Sequence, residues 1–185
     1  MKKNFIFSLI LVPHLFLSNL FCGDAPIGKN FPKIELESLA GAPIALPENK
    51  PTLFVFCFEK ECANQVRDWV HAIRAEKLLP DSVNLYIIPV LGNSFKARLF
   101  KPLIISSIKK RIPKKEHEKI ALFVKDGGAM KKFLQYEEKK KDHVYLVLID
   151  KKGIVRWQHA GTLTSATRNE LKKIAAKIDV PFEFE

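Results

Sequence analysis

Two cysteines, Cys57 and Cys62, are the residues of this chain whose type and spacing could most readily do chemistry. Cys57 ends a continuously apolar run, and Cys62 stands where a pattern with helical spacing begins. A helix N-terminus stabilises negative charge, so a cysteine there is favoured as the reactive thiolate. Cys62 is therefore a candidate catalytic nucleophile, with Cys57 as its partner. A structural disulfide or two buried free thiols are the inert alternatives.

The first 25 residues have the order of a secretory signal peptide. A short positive start at Met1–Asn4 precedes an apolar run over Phe5–Phe21, and small and turn-forming residues follow at Cys22–Pro26. Pro13 and Asn19 interrupt the run, which makes it a poor permanent membrane span. We expect an exported protein, periplasmic or facing the periplasm, in a compartment that permits disulfides. An uncleaved membrane anchor is the alternative that the sequence leaves open.

The remaining residues, 26–185, have the length of one ordinary domain. The chain carries 31 Lys and Arg against 20 Asp and Glu, a net charge of +11. Such a balance suits an anionic lipid surface, nucleic acid or an acidic partner. The lysine clusters are interrupted by glutamates and lack the interleaved aromatic residues of a nucleic-acid platform, so we expect no nucleic acid. Solvated helix faces are the simplest interpretation, and an anionic membrane surface is the next.

The elements that must position the cysteines begin with strands. Lys33–Glu37 alternates charged and apolar residues, and Pro43–Pro47 returns after a turn at Gly41, which predicts a hairpin. Thr52–Phe58 and Val83–Val90 are apolar enough to be strands buried on both faces. Between them, apolar residues recur with helical spacing at Val66, Trp69, Val70, Ile73 and Leu78. Strand, helix and strand together predict a parallel β-α-β unit.

The second half predicts helices, a hairpin and a last helix. Pro102 suits the first turn of a helix that Pro113 would end, and a further helix is predicted over Lys114–Val124, before a break at the following glycine pair. The later elements are strands over Val144–Ile149 and Ile154–Trp157 around the Asp150–Gly153 turn, and a helix over Ser165–Ile178 capped by Thr164 or Ser165.

This order of elements is that of a thioredoxin-like α/β fold. It predicts a three-layer sandwich with a central mixed sheet and an N-terminal β-hairpin extension. Ile27–Phe56 resembles the opening of envelope thiol-disulfide reductases and peroxiredoxins, and Val144–Trp157 is similar to their late hairpin. The resemblance implies the fold and a site at the two cysteines.

The chain departs from the active-site patterns of those families. Their redox cysteines are separated by two residues, whereas four residues lie between Cys57 and Cys62. Their cis-proline before the late hairpin would fall close to Val144, and no proline lies between Pro113 and Pro181. Glu59 stands where peroxiredoxins carry a threonine, three residues before the reactive cysteine. The pattern favours an altered redox site.

One branch of the superfamily lacks both features. Ile112–Ile120 and His143–Gly161 resemble the mitochondrial assembly factors for the membrane sector of ATP synthase, which also carry an Arg-Trp pair like Arg156–Trp157. This resemblance implies a binding or assembly module for an envelope or membrane protein complex, with no cofactor, and favours a non-enzyme. A thiol-disulfide oxidoreductase or peroxidase that uses Cys62 with Cys57 is the rival function.

A copper chaperone is the third interpretation. Exported chaperones of thioredoxin-like fold bind copper with two cysteines after the first central strand and a distant histidine before the late hairpin. Cys57, Cys62 and His143 have roughly those places, and thiolate with imidazole suits copper. The cysteine spacing differs from the chaperone pattern, and a lone histidine at a strand start is usually solvated.

Overall fold

The computed structural model describes residues 26–91, 95–123 and 127–178, with only the backbone described at residues 95–98. The predicted signal peptide, residues 1–25, lies outside the described residues. Among the described helices, none combines the length and apolar character needed to cross a bilayer.

The described residues contain seven strands, in two sheets that isolated bridges join edge to edge. In chain order they are β1 (Ile34–Ser38), β2 (Pro43–Leu46), β3 (Thr52–Cys57), β4 (Asn84–Pro89), β5 (Ala121–Leu122), β6 (Tyr145–Ile149) and β7 (Val155–Ala160). The order β4-β3-β6-β7 makes one sheet and β2-β1-β5 the other. Parallel bridges from Ile87 to Ile120 and from Val90 to Phe123 join them edge to edge. The predicted N-terminal hairpin, β1 and β2, thus extends the central sheet through β5.

Strand β3 lies at the centre of its sheet because its sequence has no polar face. It pairs with β4 in parallel and with β6 in antiparallel orientation. Phe54 and Phe56 belong to the apolar core on one face of the sheet, and Leu53 and Val55 to the core on the other. A strand buried on both faces must find partners at both edges, since buried backbone N–H and C=O groups need hydrogen bonds.

Within the part of the chain that the structure describes, four α-helices cover the sheet. They are α1 (Ala63–Ala75), α2 (Phe95–Arg111), α3 (Gly128–Phe133) and α4 (Ser165–Ala175). Buried residues of α1 and α4 share a core with Leu53 and Val55, and Ile105 and Ile108 of α2 pack beside Ile87 of β4 on the same face. Met130 of α3 lies in the core on the opposite face. The predicted three layers and the mixed sheet are confirmed.

Two predictions between β4 and β6 are wrong. Helix α2 starts about two turns earlier than predicted, so Pro102 lies inside it instead of in its first turn. The helix predicted over Lys114–Val124 is a 3₁₀ segment at Lys114–Lys119 followed by strand β5, which pairs with β1. A short apolar run carries no periodicity that separates helix from strand, and pairing with the predicted hairpin decides it.

The late hairpin is held by a carboxylate inside its turn. Asp150 Oδ1 accepts hydrogen bonds from the backbone N–H groups of Lys152 and Ile154, at 2.8 and 3.0 Å. Its Oδ2 accepts from Arg156 Nε at 2.8 Å and pairs with the same guanidinium at 2.6 Å. Gly153 is required in this turn, because its φ is +80° and a Cβ would meet Pro47 Cγ at 2.9 Å. One nearly buried carboxylate therefore organises the hairpin turn, whose Gly153 lies against Pro47, the residue after β2.

Replacing this carboxylate should destabilise the whole domain. We expect Asp150→Ala to lower the free energy of unfolding by about 3 kcal/mol, because it removes the acceptor of two backbone N–H groups and the nearly buried ion pair with Arg156. Asp150→Asn keeps one acceptor oxygen and should lose clearly less. Urea unfolding of the oxidised protein measures both. An alanine variant as stable as the parent would contradict the role assigned to this turn.

Candidate functional site

The two cysteines predicted as the site are joined by a disulfide. Cys57 is the last residue of β3 and Cys62 the last residue of the 3₁₀ turn Lys60–Cys62 that leads into α1, with their Cα atoms 6.0 Å apart. Cys57 is partly exposed, whereas Cys62 is 0% exposed. The strand, the turn and the start of the helix bring the two cysteines together, which the sequence alone leaves as one of several alternatives.

The backbone around the disulfide is held in place from two directions. The Cys57 carbonyl accepts from the N–H of Val90, which follows β4. The Glu59 carbonyl accepts from the Cys62 N–H at 3.3 Å and lies 3.0 and 2.9 Å from the sulfurs of Cys57 and Cys62. In the reduced protein each thiol can donate to this oxygen, which favours the protonated form.

Helix α1 has the opposite effect on Cys62. Cys62 is its N-cap residue, and no side chain makes a capping hydrogen bond there. The N–H of Ala63, the first residue of α1, already bonds to the Lys60 carbonyl of the preceding 3₁₀ turn, and the dipole of α1 adds partial positive charge at this end. A thiolate released at Cys62 would therefore be stabilised by α1, even though the residue is buried.

Val144 stands beside Cys57, at the place where the resembled families carry proline. The antiparallel register of β3 and β6 pairs Phe56 with Tyr145, so Val144 is the next residue opposite Cys57. Its N–H donates to Gln65 Oε1 at 3.2 Å, a bond that proline could not make. Gln65 lies in the first turn of α1. The late hairpin and the helix that follows the cysteines are thus tied directly together.

Sequence reasoning missed Gln65. The signal was present, because a glutamine three residues after a helix N-cap is typical of a capping box. In this fold the side chain reaches across to the hairpin instead of back to its own N-cap. A second hydrogen bond of this kind lies one turn further along α1, where Trp69 Nε1 donates to the Gly161 carbonyl at 2.9 Å. Both bonds fix α1 against the residues that flank β6 and β7.

Among the described residues, His143 belongs to no cluster of potential metal ligands. Its Nδ1 is buried without a hydrogen-bond partner and lies 3.2 Å from where a Cβ of residue 161 would be, which explains the glycine there. Within residues 26–91, 95–123 and 127–178, no three His, Cys, Asp or Glu side chains stand close enough to hold a metal ion. The structure joins Cys57 to Cys62 and does not add His143 to them.

An aromatic cluster supports the strand end from the other face of the sheet. Phe58 packs edge-on against Tyr136 and Tyr145, with ring centroids 5.1 and 5.7 Å apart. Lys131 Nζ lies 4.0 Å from the centre of the Tyr136 ring. Burial, together with the nearby Glu138 and Glu59 carboxylates, raises the pKa of Tyr136 to about 12. Phe58, the residue after Cys57, is therefore held among aromatic rings and is buried from solvent.

Known proteins match the structure but not the sequence. No protein-family model matches the chain, and no curated protein matches it significantly. The thiol peroxidase from Chromobacterium violaceum superposes with a TM-score of 0.52, over 84% of this chain and 90% of that one, at 15% identity. The exposed lipoprotein thioredoxin from Streptococcus pneumoniae has a TM-score of 0.49, covering 77% of this chain and 99% of that one at 14% identity. At these identities the likeness concerns the fold, which is thioredoxin-like as predicted.

The bond between Gln65 and Val144 can be tested by removing its acceptor. Gln65→Leu should lower the free energy of unfolding by about 1–2 kcal/mol, because a backbone N–H beside the disulfide is left unsatisfied. Gln65→Glu retains the acceptor oxygen and serves as the matched control. Chemical unfolding of both variants, with the disulfide intact, measures the effect. Equal stability of the two variants would show that the bond contributes nothing.

The three tyrosines of the chain predict an alkaline limit to stability. Burial and a hydrogen bond to the Glu48 carboxylate raise the pKa of Tyr86 to about 12, as burial and carboxylates do for Tyr136. Burial also raises the pKa of Tyr145. The fold favours the neutral forms of these tyrosines. The stabilisation that they contribute is therefore complete below the unfolded pKa of about 10, and it is lost as the pH rises through their pKa values in the folded protein.

Tyrosinate absorbance measures this directly. The tyrosines of the native protein should ionise well above pH 10, whereas those of the protein unfolded in guanidinium should ionise at a pH of about 10. Unfolding free energy should fall over the same alkaline range. A native titration that coincides with the unfolded one would contradict the buried environments of these side chains.

Proposed function

We propose that the chain is an extracytoplasmic thiol-disulfide oxidoreductase whose exchanging pair is Cys57 and Cys62. The observation that carries the proposal is the disulfide between a partly exposed sulfur at a strand end and a buried sulfur at a helix N-terminus. The export signal predicted from the sequence supports a compartment in which such a pair cycles. The four-residue spacing is accommodated by the 3₁₀ turn that precedes α1.

The difference in exposure assigns the two sulfurs different roles. An incoming thiolate reaches Cys57 Sγ and forms a mixed disulfide there, and the Cys57–Cys62 bond breaks with its electron pair on Cys62. The thiolate at Cys62 is the better leaving group because the α1 N-terminus stabilises it. A second thiolate of the substrate then attacks the substrate sulfur of the mixed disulfide and releases Cys57. The substrate dithiol is oxidised by two electrons, and the protein disulfide is reduced.

In the opposite direction the reduced protein would attack a substrate disulfide through Cys57, and Cys62 would resolve the mixed disulfide. The sequence favoured Cys62 as the sulfur that first bonds to the substrate, because Cys62 stands at the helix start. The proposal assigns that role to Cys57 instead. Burial of Cys62 supports this exchange of roles, since attack requires access to the sulfur as well as thiolate character.

A binding or assembly module is the second candidate function. One observation favours it: large apolar side chains stand exposed on α2, on the face turned away from the one that packs against the sheet. Neither function excludes the other, because the α2 surface and the disulfide lie on different elements. Loss of thiol exchange without loss of cellular function would favour the binding role.

Single cysteine variants separate the two sulfurs. Cys62→Ser leaves the partly exposed thiol and should form a mixed disulfide with glutathione disulfide, detected by mass spectrometry. Cys57→Ser leaves the buried thiol and should react at least about tenfold more slowly, since reactivity follows access. The double variant is the control. Equal rates for the single variants would overturn the assigned roles.

Turnover decides whether the pair is an enzyme site. The parent chain should accelerate the reduction of insulin disulfides by dithiothreitol above the rate with the Cys57→Ser/Cys62→Ser variant. A parent rate equal to that of the double variant would refute the oxidoreductase and leave the disulfide as a structural link.

A further inference from the structure

The exposed apolar side chains of the described residues are concentrated on one helix. Leu99, Phe100 and Leu103 of α2 are 63%, 49% and 67% exposed. Ile27, which is 54% exposed near the N-terminus, is the other large hydrophobic residue of this kind in the described part of the chain. Single exposed apolar residues are ordinary, whereas a contiguous group on one surface indicates contact with something else.

The periodicity of α2 explains why these side chains point outwards. Leu99 and Leu103 are four residues apart and Phe100 and Leu103 three, so they share one helix face. Ile105 and Ile108 lie on the face that packs with Leu39 and its neighbours against the sheet. The helix therefore has two apolar faces. The sheet accounts for one of them, and packing within the described residues does not account for the other.

Lysines surround the same helix. A groove of about 940 Å³ along α2 has Leu39, Pro102 and Ile105 among its apolar lining residues. Its lysines are Lys101, Lys109, Lys110 and Lys114, and its remaining titratable residues are His117 and Glu118. Four cationic side chains against one carboxylate give the groove a positive surface. The apolar tip of α2 and this lysine groove, taken together, are called the α2 surface below.

We propose that the α2 surface docks on a bilayer containing anionic phospholipids. Apolar side chains beside lysines are the composition of helices that lie in a membrane interface, with the apolar residues in the acyl boundary and the cations at the phosphates. Charge complementarity selects an anionic bilayer, since the chain as a whole carries +11. The apolar tip supplies the contact with the acyl chains that the lysines alone cannot make.

The proposal is independent of the disulfide. The α2 surface is built from α2, the start of the 3₁₀ segment at Lys114 and the turn after β1, whereas Cys57 and Cys62 lie between β3 and α1. Docking would hold the domain at a membrane while leaving Cys57 on a different element. Membrane binding and thiol exchange can therefore fail separately.

Vesicle co-sedimentation of the exported chain tests the docking. The parent should bind vesicles of phosphatidylcholine with about a third phosphatidylglycerol, bind pure phosphatidylcholine vesicles much more weakly, and dissociate as salt is raised. Lys109→Gln/Lys110→Gln should weaken partitioning about fivefold per lysine. Leu99→Ser/Phe100→Ser/Leu103→Ser should weaken it by roughly tenfold or more.

Matched controls lie elsewhere on the surface. Lys172→Gln/Lys173→Gln removes the same charge from exposed positions of α4, and Ile27→Ser removes another exposed apolar side chain. Both should bind vesicles within about twofold of the parent, less than one lysine contributes. All the altered residues are exposed, so thermal unfolding should be unchanged and loss of binding is not loss of fold.

Three results would overturn the proposal. The first is no binding of the parent to anionic vesicles, and the second is equal loss of binding in the α2 and control variants. The third is a homodimer in solution that the apolar triple variant dissociates while vesicle binding is unaffected, which would assign the apolar tip to a second copy of the chain. Insulin reduction measured on the same variants keeps the result separate from the oxidoreductase proposal.

Discussion

The rest of the structure depends on complete burial of strand β3. Both faces of β3 carry apolar side chains, so helices or aromatic side chains must pack against each face. Its buried backbone needs hydrogen bonds, so a strand must pair with each edge. β4 and β6 supply the edges, and the cores on the two faces share the alternating side chains of Thr52–Cys57. The end of this strand is consequently one of the most constrained positions in the molecule, and a cysteine occupies it.

That constraint shapes the candidate site. Because Cys57 belongs to a fixed strand end, the conformational adjustment for a four-residue spacing falls on the 3₁₀ turn that leads to Cys62. The turn places one carbonyl, from Glu59, beside both sulfurs. It also places Cys62 at the N-terminal end of α1, where the helix dipole adds partial positive charge. The carbonyl favours the thiol and the helix favours the thiolate, so the balance of the two governs how readily the reduced pair reacts.

Replacement of the expected proline by Val144 changes how the site is held. A proline at this place would have no N–H, whereas Val144 donates to Gln65 and so links the late hairpin to α1. The site is altered from the pattern of the resembled families in its spacing and in this residue together. Helix α2, in contrast, takes little part in the core around the disulfide, which leaves its outward face free for a different task.

The sequence by itself determined the elements that carry a strong local signal. The buried strands, the two hairpins, the end of α2 before Pro113 and a cap of α4 at Thr164 or Ser165 follow from periodicity, turn residues and capping chemistry, and the structure places that cap at Thr164. These signals act over a few neighbouring residues, so they can be interpreted without knowing the fold. The same reasoning placed the thioredoxin-like order of elements and the pair Cys57 and Cys62.

Only the tertiary structure decided the rest. Strand β5 exists because β1 and β4 offer edges to a short apolar run that has no periodicity of its own. The roles of the two cysteines depend on exposure, which is set by what packs over each sulfur. Gln65 and Val144, which share a hydrogen bond, are 79 residues apart in the chain. One face of α2 is exposed because no other described element packs against it. Such properties depend on contacts between distant segments, and no local pattern of residue types encodes them.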